Sequence, residues 1–135
     1  MTKTDDGMDV RVYYEDTDFS GVVYHTSYLR FLERGRTEYL RARGIHQQSI
    51  MDGGNGTPFA FAVRRMNIEF VKAARMDDML RVETRAGDMG SASLTIDQRI
   101  LRGQEVLLTA HVVVACVAGG RAVRIPHWVR DMLAG

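Results

Sequence analysis

Between residues 10 and 44 the hydrophobic pattern changes period once, and that change limits the fold more than any other feature. Val10, Val12 and Tyr14 alternate with Arg11, Tyr13 and Glu15, the period-two pattern of a half-buried strand. Asp16, Thr17, Asp18, Ser20 and Gly21 then interrupt the pattern within six residues. From about Thr26 the period becomes helical. Tyr28, Leu32, Gly35 and Tyr39 share one stripe flanked by Leu29, Phe31 and Leu40, while Arg30, Arg34, Arg41 and Arg43 mark the wetter side. The spacing predicts a helix from about Thr26 to Arg43, with Thr26 or Ser27 as N-cap and Gly44 at C′. Its start presents unpaired N–H groups and a partial positive charge beside two carboxylates and a histidine.

Up to about residue 125 the chain after this helix reads as strands and turns. Residues 47 to 57, with three glycines and a proline, predict a loop. Residues 59 to 72 predict a long strand whose apolar phase flips at Arg64–Arg65, as a β-bulge, or two faces buried by different neighbours, would make it. Leu80 to Ala86, Leu94 to Ile100 and 105 to 117 supply three more strands, divided by turns at 73 to 78, 87 to 91 and 102 to 104. Pro126 suits the first position of a short terminal helix over 126 to 134. One apolar helix followed by four antiparallel strands buries itself most economically when a five-stranded sheet curls around it. That arrangement is an α+β fold, with the helix as its most buried element.

The 135 residues fit one domain spanning 1–135, with residues 1–8 polar and expected to fray. A net charge of +1 gives no reason to expect a nucleic-acid partner. The one cysteine, Cys116, excludes an intrachain disulfide and reads as a small core residue. No apolar run reaches the ~18 residues of a membrane span, and the start MTKTDDGMD lacks the apolar stretch of a signal peptide. A cytoplasmic location is therefore expected. His46, His111 and His127 have no partner spacing for zinc or a nucleophilic triad.

The run YYEDTDFSGVVYHTSYLRFLERGRTEYLR resembles the signature of the hotdog-fold acyl-CoA thioesterases, in particular the YbgC-type enzymes associated with the Tol–Pal envelope system. It is similar, more distantly, to 4-hydroxybenzoyl-CoA thioesterase, and the likeness continues through VRRMNIEFVKAARMDDML, LTIDQRI and VVVACV. The resemblance implies hydrolysis of acyl-CoA to free acid and coenzyme A without a cofactor, coenzyme A being part of the substrate. It also implies a homodimer or homotetramer with active sites between subunits. Asp18 takes the position of the family's catalytic carboxylate, as base or nucleophile. The backbone N–H of His25 matches the donor that polarises the thioester, and its side chain orients substrate or assists proton transfer.

Each of these residues also has a plainer reading. An aspartate in a polar loop is commonly an Asx-turn or cap residue. Tyr14 either lines the pocket or packs on the sheet; Gly21 lets the loop double back toward Tyr24 and His25, and Gly21 and Tyr24 are expected, with Tyr14, Arg64 and Arg65, to border the substrate. Asp16 and Glu15 read as structural or solvated, and Glu33 as an intrahelical partner of Arg36. Related enzymes often carry bases for the coenzyme A phosphates in the turn before the fourth strand, where this chain has Gly87-Asp88-Met89-Gly90-Ser91. Arg64, Arg65 and Arg75 are candidate substitutes, or solvated strand and turn residues. Acyl-carrier protein is thus an alternative carrier to coenzyme A. Two alternatives remain: a dehydratase, against which the short DxxG loop with Asp18 argues, and a non-catalytic acyl-binding or scaffold protein of the envelope machinery, against which the intact Asp18, Gly21 and His25 argue.

Overall fold

A computed structural model describes residues 7–54 and 56–134. The chain runs β1 (Gly7–Arg11), a 3-10 turn (Tyr14–Asp16), α1 (His25–Ala42), α2 (Gln47–Met51), β2 (Ala60–Phe70), β3 (Met79–Met89), β4 (Ser93–Arg102), β5 (Glu105–Ala118), β6 (Arg121–Ala122) and α3 (His127–Ala134). All pairings are antiparallel, in the order β1-β3-β4-β5-β2, with β6 attached to β5. The four strands after α1 form an antiparallel sheet in the α+β hotdog arrangement as predicted, but only β3-β4-β5 is a meander; β2 crosses over to pair with β5 at the edge. The sixth strand was not foreseen. Gly119 and Gly120 both have positive φ, so the chain reverses in two residues and two more can pair.

Register divides the sheet into two chemically different faces. Val82, Ile100, Leu108 and Phe70 align across the strands on the helix side, followed by Ala86, Ile96, Val112 and Met66 four residues on. The opposite face carries Glu83, Arg99, Thr109 and Glu69 in one row and Arg85, Asp97, His111 and Asn67 in the next. Alternation along each strand dictates this split. The bulge expected at Arg64–Arg65 is present, the register slipping between Val63 and Arg65.

Helix α1 lays Tyr28, Phe31, Leu32, Gly35, Tyr39 and Leu40 on the sheet. Burying a large apolar side chain of this kind contributes about 1.5–3 kcal/mol. Two tyrosines on this stripe also accept backbone hydrogen bonds: Tyr28 Oη from Ala74 N at 2.8 Å and Tyr39 Oη from Ala86 N at 3.0 Å. Between them, Gln98 Nε2 donates to Leu32 O and Thr84 Oγ1, both at 3.0 Å. Gly35 faces this junction, where a Cβ would stand 2.6 Å from Val82 Cγ1. Gly35→Ala would raise helix propensity by about 1 kcal/mol. Overpacking against the buried, rotationally stiff Val82 costs about 1–3 kcal/mol and should win. Urea unfolding should therefore show a variant less stable by about 1 kcal/mol.

Several boundaries differ from the sequence reading. Gly7 and Met8, expected to fray, belong to β1 and pair with Glu83 and Val82; residues 1–6 lie outside the described residues. The first strand ends at Arg11, because Tyr14–Asp16 turn into a 3-10 helix. Helix α1 begins at His25 with Tyr24 as N-cap and no side-chain cap, not at Thr26 or Ser27. Its start is set by the backbone bond from Tyr24 N to Asp16 O at 2.9 Å. Its end matches expectation: Gly44 (φ +82°) donates to Arg41 O and Ile45 to Leu40 O, the Schellman pattern, with Leu40 and Ile45 both buried. Residues 47–51, expected as loop, form a helical turn that buries Ile50. Strand β5, with His111 as its one exposed residue, is better buried than α1, which leaves Leu29 41% exposed. A helix on one side of a sheet keeps an outer face, whereas β5 has neighbours on both edges.

Candidate active site

The segment from Thr17 to Val23 is a tight hairpin. Thr17 bridges Val23, Asp18 N donates to Val22 O, and Gly21 N donates back to Asp18 O. Gly21 has φ +82°, which a side chain would strain. The Asp18 carboxylate closes the turn through Oδ1, which accepts from Ser20 N at 2.8 Å and from Ser20 Oγ. These bonds to the charged form hold the Asp18 pKa below the ordinary carboxylate value. The Val22 backbone acts on the carboxylate in the same direction, more weakly; Oδ2 is otherwise open among the described residues. The Asx-turn reading of Asp18 is thus correct for one oxygen and leaves the other available.

Asp16 takes the structural part expected of it. It is buried, accepts from Tyr13 N at 2.9 Å through Oδ2, and lies 3.5 Å from Arg30 Nη2 through Oδ1. Together with the Asp16 O to Tyr24 N bond it fixes how the hairpin feeds α1. The segment after β2 holds the hairpin from the other side. Val23 N donates to Ala74 O, Met76 N to Gly21 O, and Arg75 bridges Val22. Arg102 anchors that segment, with Nη1 2.8 Å from Asp78 Oδ2 and Nη2 2.9 Å from Glu105 Oε1. Burial pushes the Asp78 pKa up, but hydrogen bonds from Arg75 N and Arg102 outweigh it and keep the group low.

His25 begins α1 at the rim of a cleft of about 190 Å³ lined by Val22, Val23, Tyr28, Phe70, Val71 and Lys72. Its ring stacks on Phe70, centroids 4.6 Å apart. The first-turn N–H groups of a helix have no partner within it, so the cleft adjoins a ready acceptor-binding position. Asp18 is not among the cleft's lining residues in this chain. Tyr14 and Tyr24 are exposed, Tyr14 on the 3-10 turn and not on the strand where the alternation placed it.

Arg64 and Arg65 are exposed near the middle of β2, roughly 17 Å along the strand from Phe70. The cations beside the cleft are instead Lys72, 2.6 Å from Glu105 Oε2, and Arg75. Lys72 and Phe70 were missed because their place at the cleft depends on where β2 ends against α1. Glu33 does not pair with Arg36 as its spacing predicted; Arg36 turns inward and donates to Gln98 Oε1 at 3.1 Å. Asp97 and His111, fourteen residues apart, meet at 2.6 Å on the outer sheet face, away from the cleft. Among the described residues, no helix is long and apolar enough to cross a membrane.

A family model of the thioesterase-like superfamily matches residues 12–133. The chain is 46% identical to the acyl-CoA thioesterase YbgC of Haemophilus influenzae over 112 residues, 83% of this chain and 80% of that one. It is 49% identical to the acyl-CoA thioester hydrolase YbgC of Escherichia coli over 109 residues, 80% of this chain and 78% of that one. Among solved structures, a probable thioesterase from Bartonella henselae superposes with a TM-score of 0.85 at 41% identity, covering 89% of this chain and 98% of that one.

Proposed function

The chain belongs to the thioesterase-like superfamily and, within it, to the YbgC acyl-CoA thioesterases, and from that premise we propose that it hydrolyses acyl-CoA through Asp18. The observation that carries this reading is the junction of hairpin and helix. Asp18 keeps one carboxylate oxygen open, and the hairpin delivers the chain directly into the first turn of α1 at the cleft. The thioester oxygen would accept the backbone N–H of His25, where the helix end favours developing negative charge. Asp18 Oδ2 then either deprotonates the attacking water or attacks the carbonyl itself. The thiolate of coenzyme A leaves, and the free acid is released after water has been added. No cofactor is needed for these steps. Phe70 holds the His25 ring by stacking, so the side chain acts in positioning.

The working unit is a homodimer or a tetramer built from it, in the cytoplasm. What supports the dimer is strand β2: eleven residues long, paired among the described residues only to β5, with Val63, Phe70 and the adjoining Val71 about half exposed. A long unpaired edge of this kind invites a second strand. A mate placed there would also border the cleft through Phe70 and Val71 and bring its own residues toward Asp18. Sedimentation at assay concentration should give a dimer or larger; a fully active monomer would contradict this arrangement.

A further inference from the structure

A second cavity, of about 210 Å³, lies at the other end of the seam between α1 and β2, lined by Glu33, Arg36, Thr37, Leu40, Gln47, Phe61, Val63, Ile96 and Val114. The two elements run in opposite directions. His25 and Tyr28 meet Phe70 at the cleft, while Arg36 and Leu40 meet Val63 and Phe61 at this cavity. Between these two ends α1 carries Leu29 and β2 carries Met66 and Ile68, all apolar and at least partly exposed. From His25 to Arg36 the helix rises about 16 Å.

Arg36 is the unusual wall of this cavity. It is 9% exposed, its one hydrogen bond among the described residues is the 3.1 Å donation to Gln98, and no carboxylate lies within ion-pair distance. Burial depresses its pKa, with Glu33 acting in the opposite direction. A guanidinium has five N–H donors, and those of Arg36 not bonded to Gln98 are open to the cavity, where an acceptor can reach them. Glu33, on the same lining, supplies an acceptor and a negative charge.

We propose that this cavity receives the far end of the acyl group, and that Arg36 and Glu33 select acyl tails ending in a hydroxyl. This rests on the reading of the α1 start as the thioester site. A hydroxyl accepts from Arg36 and donates to Glu33 at once. A terminal methyl leaves the guanidinium donors unpaired, and a terminal carboxylate meets the charge of Glu33. The apolar seam accommodates the methylenes between thioester and tail.

The test uses the full-length protein and acyl-CoA thioesters of matched length, long enough to span the seam, ending in methyl, hydroxyl or carboxyl. The hydroxyl-ended thioester should exceed the methyl-ended one about tenfold in kcat/KM, chiefly through KM. In Arg36→Met this ratio should fall to near one. Because it compares two substrates in one preparation, partial misfolding does not alter it. Glu33→Gln, at an exposed position, should lower the same ratio if Arg36→Met proves insoluble. Equal kcat/KM for methyl and hydroxyl ends, or a preference for the carboxyl end, overturns the proposal while leaving the thioesterase reading intact. Failure to hydrolyse any thioester, short ones included, would sink both.

Discussion

Asp18→Asn is expected to lower turnover by roughly a hundredfold or more, about 3 kcal/mol of transition-state stabilisation, with KM little changed. The substitution separates the two roles of this residue. Asparagine still offers Oδ1 to Ser20 N, so the turn that positions the hairpin survives. It lacks the basic oxygen that would activate water or attack the carbonyl. His25→Ala should be milder, because the proposed main-chain donor is retained and only the ring stacked on Phe70 is lost. The pH profile adds a check. Hydrogen bonds from the Ser20 hydroxyl and N–H favour ionised Asp18, so the carboxylate stays charged as pH falls to below the ordinary carboxylate range. Activity should therefore persist to that point and drop only beneath it. Ser20→Ala removes the larger of these bonds and should move the acid limb to higher pH. Near-normal turnover by Asp18→Asn on every thioester the parent hydrolyses would reduce Asp18 to a turn residue.

Gln98→Leu is expected to destabilise the fold by about 3 kcal/mol, lowering the melting midpoint by roughly 10 °C. Gln98 is 2% exposed and connects three groups: Leu32 O on α1, Thr84 Oγ1 on β3 and the Arg36 guanidinium. Leucine fills much of the same volume but leaves the buried Arg36 without its acceptor and Thr84 without its donor. A buried charge stripped of its partner is far costlier than an apolar pair in the same place. Turnover of the folded fraction on short acyl thioesters should change much less than stability, since the junction lies beneath the middle of α1. Chemical unfolding monitored by circular dichroism gives the comparison. A midpoint equal to the parent's would mean that packing at Gly35 and Val82, not this hydrogen-bond network, fixes the helix on the sheet.

The sequence by itself determined the main helix, the long strands and the turn at Asp18, but not α2, β6 or the 3-10 turn. The stripe Tyr28, Leu32, Gly35 and Tyr39 has a helical period wherever it is placed, and Gly44 ends that helix because a left-handed residue is needed there. The phase flip at Arg64–Arg65 could be read as a bulge because side-chain alternation records register locally. The Asp18 turn was legible for the same reason: its partners lie within four residues. Other features required the tertiary structure. Tyr24, not Thr26 or Ser27, caps α1 because Asp16 O, eight residues earlier, holds its N–H. Arg36 abandons the expected neighbour Glu33 for Gln98, sixty-two residues away, since helical spacing states which groups can pair but not which side faces a sheet. Phe70 and Lys72 join the cleft, and Arg64 and Arg65 do not, according to where β2 ends against the start of α1. Local pattern fixes what each long segment becomes. Which side chains share a site depends on long-range packing, for which no spacing along the chain is a substitute.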